Sequence, residues 1–296
     1  MTPALEQAQE LVRAGDPAGA LKALQQQVRS QAGDLKLRVF LFQLLCVLGQ
    51  WKRAQDQLKV CGELDAATLA MVNTYRAAIQ CEAVREAVFA GRSTPHVFGP
   101  PMPWVALLVQ ALQLDAQGHP EKAAGLRAQA FDEAPASAGE VDGQRFAWIA
   151  DADSRLGPVL EVLINGRYGW LPWVHLRKLD IEPVVDLRDL VWAPAHVEFI
   201  NGGDTVALVP VRYDGTVGSP QAQADAGLLM ARQTDWLPLV EGEQPQYRGL
   251  GQRLIATDRA ELGLLQMRKV VLDELPAGPV AQPGGDSAPD APAGKA

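Results

Sequence analysis

The sequence predicts a multidomain α+β protein, with helical repeats in its first half and a β-rich α+β domain in its second. A motif with Gly, Ala and Leu in register starts at Gly15 and recurs 34 residues later at Gly49, a period typical of paired-helix repeats. Beyond Pro135, β-branched and aromatic residues cluster between turn signals, and five of the seven tryptophans lie there. We therefore expect a helical-repeat domain at residues 1–135 and a β-rich domain at residues 136–275.

The helical half is expected to hold about seven helices. A third copy of the repeat begins at Gly118 and carries Ala130 and Pro135 where a tetratricopeptide-type repeat has its small residue and its terminal proline. Apolar residues at helical spacing, such as Leu41–Leu45, support the first helix of a pair. Four prolines between positions 91 and 103 exclude a regular helix there. The pattern therefore favours a short, tetratricopeptide-like domain.

Two hairpins are predicted in the second half. Val159–Ile164 leads into Asn165-Gly166, a dipeptide that tolerates positive φ at both centres of a tight turn, and Tyr168–Val174 would return. A second hairpin would join His196–Ile200 to Thr205–Val211. The other expected elements are a last strand at Leu264–Leu272 and short helices near Asp153–Leu156 and Ala222–Ala231.

Composition limits the classes of partner. The net charge of −8 lies entirely in the second half, because residues 1–134 hold 13 basic and 13 acidic side chains. Neither half has the basic excess that nucleic acid or an anionic membrane would require. The longest apolar stretch is too short to span a bilayer, and the N-terminus lacks the pattern of a signal peptide. We expect a cytoplasmic protein whose three cysteines are buried, reduced thiols.

The C-terminal residues 276–296 are mostly Pro, Ala and Gly. Such a segment cannot bury enough apolar surface to offset its ordering entropy, and we expect it to be disordered.

Candidate catalytic groups are few. Asp151 and Asp153 could hold a divalent cation, but a cation site needs more oxygen ligands than two. The alternative is that one of them caps a short helix while Arg155 pairs with a carboxylate. His175 and His196 have no metal-ligand spacing. We expect no catalytic residue, metal or cofactor; a hydrolytic or metal-dependent enzyme in the second domain remains the competing hypothesis, which requires these groups to converge on one pocket.

Two further motifs have structural interpretations. Gly249–Arg253 resembles the start of a phosphate-binding loop, but the Lys-Ser/Thr that such a loop requires is missing, and close approach of the backbone explains the glycines better. Asp186–Trp192 alternates charged and apolar residues. It could provide a peptide-binding anchor, but an edge strand with a buried Trp192 and a surface ion pair is the preferred interpretation.

A partner-binding surface follows from the repeat register, since the first helix of each pair lines the concave face of such an array. This face is small, neutral and half apolar, which suits an amphipathic helix better than a terminal carboxylate. Alternatively, helices of the irregular middle segment fill it. The predicted binding residues are Lys36, Val39, Gln43, Cys46, Asn73, Ala77 and Gln80.

Several long stretches resemble the ImpE/TagJ (SciE-type) accessory proteins of bacterial type VI secretion systems. They are Leu37–Gly49, Trp148–Leu171, Asp186–Ala195 and Gly251–Asp258. The resemblance implies a non-catalytic cytoplasmic adaptor that binds the N-terminal helix of the small contractile-sheath subunit and is linked to the AAA+ ATPase that recycles the sheath. A general repeat scaffold for another cytoplasmic complex is the remaining alternative.

Overall fold

The computed structural model describes residues 3–274. Seven α-helices precede the strand-rich half within this range, and two short helices lie inside that half, which confirms the predicted fold class. The expected disorder of residues 276–296 concerns a segment outside the described residues. The helices are α1 (Pro3–Arg13), α2 (Pro17–Ser30), α3 (Leu35–Val47), α4 (Trp51–Leu64), α5 (Leu69–Phe89), α6 (Pro103–Ala116), α7 (Pro120–Glu133), α8 (Pro220–Ala224) and α9 (Ala226–Leu229).

The repeat glycines form the turns inside three helix pairs. Gly15, Gly49 and Gly118 have φ values of 89°, 66° and 78°, a conformation that strongly favours glycine. Each follows the first helix of a pair, so α1 packs on α2, α3 on α4, and α6 on α7. Asp16 caps α2 by accepting a hydrogen bond from a backbone N–H of its first turn. The 34-residue repeat therefore has the structural basis that the sequence predicts.

Most strands join one mixed sheet. Its strand order is β1-β6-β5-β9-β8-β7-β14-β2-β3, and β13-β12-β4 and β10-β11 form two smaller sheets. The strands are β1 (His96–Val97), β2 (Gly139–Val141), β3 (Gln144–Phe146), β4 (Ile149–Asp151), β5 (Val159–Ile164), β6 (Arg167–Pro172), β7 (Leu176–Ile181), β8 (Trp192–Phe199), β9 (Asp204–Pro210), β10 (Thr234–Val240), β11 (Gln246–Gly251), β12 (Leu254–Thr257), β13 (Glu261–Gly263) and β14 (Lys269–Leu272).

Both predicted hairpins are present, β5–β6 around Asn165-Gly166 and β8–β9, but three local predictions are wrong. Asp186–Trp192 is not an edge strand, because Leu187–Leu190 forms a 3₁₀ turn closed by a capping box and Trp192 begins β8. The predicted burial of Trp192 and an ion pair, between Arg188 and Asp186, are both present. Only the end of Leu264–Leu272 is extended, because a 3₁₀ turn occupies its start. Asp153–Leu156 forms turns rather than a helix, since the Asp153 carboxylate accepts a hydrogen bond from the backbone N–H of Arg155.

One hydrophobic core lies between the helices and the sheet, and residues of the strand-rich half form a second. Tyr75 of α5 lies between Phe42 of α3 and Trp192 of β8, with ring centroids 5.6 and 5.9 Å away. Trp51 of α4 contacts Trp192 from the other direction at 5.8 Å. The division into domains at residue 135 stays a prediction, and side chains from both sides of it pack together. Among the helices of residues 3–274, none has the length and hydropathy needed to cross a membrane.

Candidate functional site

Helix α5 lies where the helical half meets the sheet. Its buried residues, such as Tyr75, Ile79 and Val88, recur at helical spacing, so one side of the helix is covered while the other faces solvent. It packs on α4 and on β6. The Cys81 thiol donates to the carbonyl of Gly166 in the β5–β6 turn at 3.3 Å. Because both Asn165 and Gly166 adopt positive φ, this turn is tight enough to lie beside the helix.

A groove runs between α5, the β5–β6 turn and the β8–β9 hairpin, and we call it the α5 groove. Its volume is about 570 Å³, within the range of ordinary ligand sites. Most of its lining is apolar, and Glu182 and His196 are its ionisable lining residues. The residues that define its walls are Thr74, Ala77 and Ala78 of α5 and Leu163, Val206 and Leu208 of the sheet.

The β9 wall presents apolar side chains to solvent. Val206 is 73% exposed, whereas the next residue, Ala207, is buried beneath the strand. Strand side chains alternate between two faces, so Val206 and Leu208 share the face that borders the groove. Leu208 lies opposite Leu163 where β9 meets β5. Exposed apolar side chains that adjoin a concave apolar surface, unlike isolated ones, indicate a candidate binding site.

The structure places some of the predicted binding residues on open surfaces and buries others. Ala77 lies in the α5 groove, half-buried at its wall. The side chains of Gln43 and Cys46 are buried, and Arg212 from the strand half donates to the Cys46 carbonyl at 3.2 Å, so we leave both out of the proposed surface. Roles for the remaining predicted residues stay predictions; Lys36, Asn73 and Gln80 are exposed and Val39 is half-buried.

Asp151, one of the two acidic residues considered as cation ligands, belongs to a buried ionic network. Arg253 donates to both Asp151 and Glu161, and all three side chains are fully buried. Glu161 also accepts from Arg85 of α5 at 2.7 Å and from the Tyr168 hydroxyl at 2.6 Å. Burial raises the pKa of Glu161, but Arg85 and Arg253 outweigh it and lower the value to about 2. The network therefore ties α5 to β5 through the Arg85–Glu161 pair, and β5 to β4 through Arg253.

Asp153 is also committed to structural contacts. Its carboxylate binds the Arg155 guanidinium at 2.6 Å and accepts from the Gly249 backbone N–H at 3.0 Å. This confirms that Arg155 pairs with a carboxylate. A Cβ on Gly249 would collide with the Tyr213 ring, so the glycine-rich segment allows a close approach of the chain rather than a phosphate loop.

The four groups of the enzyme hypothesis do not meet. Asp151 is paired with Arg253, and His175 Nδ1 lies 3.1 Å from the Phe98 carbonyl. His196 lies on the exposed β8–β9 hairpin, 2.9 Å from Asp204. In the part of the chain that the structure describes, no group of three or more His, Cys, Asp or Glu side chains is placed to hold a metal ion. These residues have separate structural partners.

A second, charged cavity of about 320 Å³ lies between α5 and the segment after β9. Asp214 lines it, 4.0 Å from Arg155. Burial raises the pKa of Asp214 to about 6, although Arg85 and Arg155 lower it. Glu82 and Glu161 oppose those two arginines, so the Asp214 carboxyl is not fully compensated.

Comparison with known proteins identifies the family. The ImpE protein family model matches residues 143–271. A protein of Pseudomonas aeruginosa, described as the type VI secretion system accessory component TagJ, is 56% identical over 263 residues, which are 89% of this chain and 90% of that protein. The chain belongs to the ImpE/TagJ family. The resemblance that the sequence suggests is therefore confirmed.

A crystal structure has the same fold. Protein VPA1032 of Vibrio parahaemolyticus matches with a TM-score of 0.80, covering 90% of this chain and 97% of that chain. The two sequences are 22% identical, so this likeness concerns the fold alone.

The sequence missed the sheet side of the α5 groove. Val206 and Leu208 come from β9, about 130 residues after the α5 residues that they face. One signal was available: the run Val206–Pro210 has no polar residue on either face, although an outer strand face is normally polar. A strand that is apolar on both faces is either covered on both or exposes a binding surface.

Proposed function

We propose that this chain is a non-catalytic, cytoplasmic accessory protein of a type VI secretion system. In this proposal it binds the N-terminal helix of the small contractile-sheath subunit and connects that subunit to the sheath-recycling AAA+ ATPase. Family membership and the name of the Pseudomonas aeruginosa relative support the secretion role. The identity of the bound segment rests on the family resemblance and on the shape and chemistry of the α5 groove.

The α5 groove is the observation that carries the proposal. An amphipathic helix binds by inserting a few apolar side chains at helical spacing into a groove of this kind. Each fully buried Leu, Ile or Met anchor contributes roughly 1.5–3 kcal/mol. The entropy lost on association offsets much of this gain, so we expect a weak, reversible complex with a dissociation constant on the order of micromolar or above. Such affinity suits a reversible adaptor.

The test is a calorimetric titration of the full chain with a peptide that corresponds to the N-terminal helix of the sheath subunit. Val206→Glu places a charge at the groove wall and should weaken binding at least about tenfold, because an anchor contact of ~1.4 kcal/mol or more is lost. Leu64→Glu is the matched control: Leu64 is also exposed, ends α4 and does not line the groove. That control should bind like the native chain.

Two outcomes would contradict this location. Native affinity in the Val206→Glu variant would exclude the α5 groove. Loss of binding in a Val39→Glu variant, with Val206→Glu unaffected, would place the helix on α3 as the repeat register predicts. Circular dichroism of each variant establishes that the fold is retained.

A further inference from the structure

A second apolar surface is lined by aromatic rings from α7, from the segment between β3 and β4, and from strands β10 and β11. We call it the aromatic groove and define it by Phe131, Trp148, Trp236 and Tyr247. It consists of two adjoining cavities of about 460 and 390 Å³ that share Ala152, Ser154 and Glu261. Phe131, Trp148 and Tyr247 are 37%, 40% and 41% exposed, so large rings border solvent along its length.

The rings are held in place by the backbone. Tyr247 and Ser154 exchange hydrogen bonds of 3.0 and 3.1 Å, which fix β11 against the segment after β4. Trp236 stands on the neighbouring strand, with its ring centroid 5.7 Å from that of Tyr213. Trp148 and Trp236 each carry one indole N–H, a hydrogen-bond donor. The groove thus offers ring faces and two indole donors.

Aromatic grooves with indole donors fit proline-rich chains. A polyproline II segment has few conformations to lose, packs its rings on aromatic faces and leaves its carbonyls available to donors such as an indole N–H. Residues 275–296 of this chain, LPAGPVAQPGGDSAPDAPAGKA, contain five prolines. A segment that cannot build its own core can still order on a preformed surface.

The described part of the chain ends beside this groove. Strand β14 pairs with β2 so that Leu272 lies opposite Gly139, and the Asp273 N–H donates to the Ala138 carbonyl at 2.9 Å. Ala136, two residues before Ala138, lines the groove. Asp273 also pairs with Arg145, three residues before Trp148.

We propose that the aromatic groove is the docking site of this chain's own C-terminal segment, residues 275–296, bound in cis as an extended proline-rich strand. Extended as polyproline II, these 22 residues would span about 68 Å, so the reach is ample. A tether this short gives an effective concentration on the order of 1 mM, and a contact too weak to matter between separate molecules is then occupied. This proposal does not depend on the sheath partner.

Hydrogen exchange of the full chain tests the proposal. Peptides covering 146–154 and 234–250 should exchange about tenfold faster when the chain ends at residue 274, which keeps every described residue. A synthetic 275–296 peptide should restore the protection of that shortened chain at roughly millimolar concentration. Trp148→Ala in the full chain should abolish the protection, while Ile200→Ala, at an exposed apolar residue of the β8–β9 hairpin outside the groove, should not.

Each other outcome overturns the proposal. Equal exchange with and without residues 275–296 means that the tail does not cover the groove. Restoration of protection in a Trp148→Ala chain would place the tail elsewhere. Protection that rises with protein concentration, together with a dimer in sedimentation, would show binding to a second copy rather than in cis.

Discussion

Glu161 provides the sharpest test of how the two halves are joined. Its buried carboxylate is bound by Arg85 of α5, by Arg253 and by the Tyr168 hydroxyl. Glu161→Gln keeps the shape of the side chain and removes only the negative charge. Both guanidinium groups then lose a buried counter-ion, and this loss, more than the loss of one hydrogen bond, should set the cost.

The magnitude follows from two independent arguments. The pKa of Glu161 is about 2, against an ordinary value of 4.5, so its charged form is favoured in the fold by roughly 3 kcal/mol. Removal of one partner from a buried ion pair typically costs about 3–5 kcal/mol. Both give about 3 kcal/mol at neutral pH, which for a chain of this size lowers Tm by roughly 6–10 °C.

Urea unfolding followed by circular dichroism measures this cost. The matched control is Glu63→Gln, the same substitution in an exposed pair with Lys59, which should change stability by less than about 0.5 kcal/mol. A group whose pKa is lowered by folding contributes stability above its unfolded pKa and loses it as the pH falls through its folded pKa. The difference between native and Glu161→Gln should therefore shrink between pH 4.5 and pH 2. If Glu161→Gln costs no more than Glu63→Gln at pH 7, the network does not join the halves.

Two further predictions concern titratable groups. Asp214→Asn should raise the free energy of unfolding at pH 7.5 by ~2–3 kcal/mol. Burial raises the pKa of this carboxyl to about 6, so the native chain loses stability as the pH rises through that value, whereas the variant does not. If the urea midpoint changes by the same amount between pH 4.5 and pH 7.5 in the native chain and in the variant, this prediction is wrong. The three cysteines should react with a thiol reagent only on unfolding, because all are buried and burial raises their pKa values; rapid labelling of the native chain, followed spectrophotometrically, would refute it.

The helix pairs and the two hairpins were predictable because their signals are local. Gly15 and Gly49 must adopt positive φ within a few residues of the helices that they separate, and Asn165-Gly166 specifies its turn by itself. Strand β4 was missed because it is three residues long and pairs with β12, a hundred residues later. Its position depends on the fold as a whole, and no local pattern encodes it.

The candidate site was predictable only in part, for a similar reason. Helical register places Ala77 on an open face, and the structure puts it in the α5 groove. The helical register does not reveal that Arg212 of the strand half donates to the carbonyls of Val47 and Cys46 at the end of α3. The acidic pair suggested a cation because Arg253, the partner of Asp151, is 102 residues away. Charges that are neutralised over long sequence distances resemble ligand sites when they are considered locally.

The location of the ionic network bears on how the α5 groove can work. Arg85 lies two helical turns after Ala77 on the same helix, and it is bound to Glu161 of β5, the strand that also supplies Leu163 to the groove. To widen the groove, α5 would have to move away from β5 and separate a buried ion pair, at a cost of about 3 kcal/mol or more. That cost is comparable to the contribution of one partner side chain. A partner therefore gains more by fitting the existing groove than by opening it, which favours a preformed receptor for a helix of defined shape.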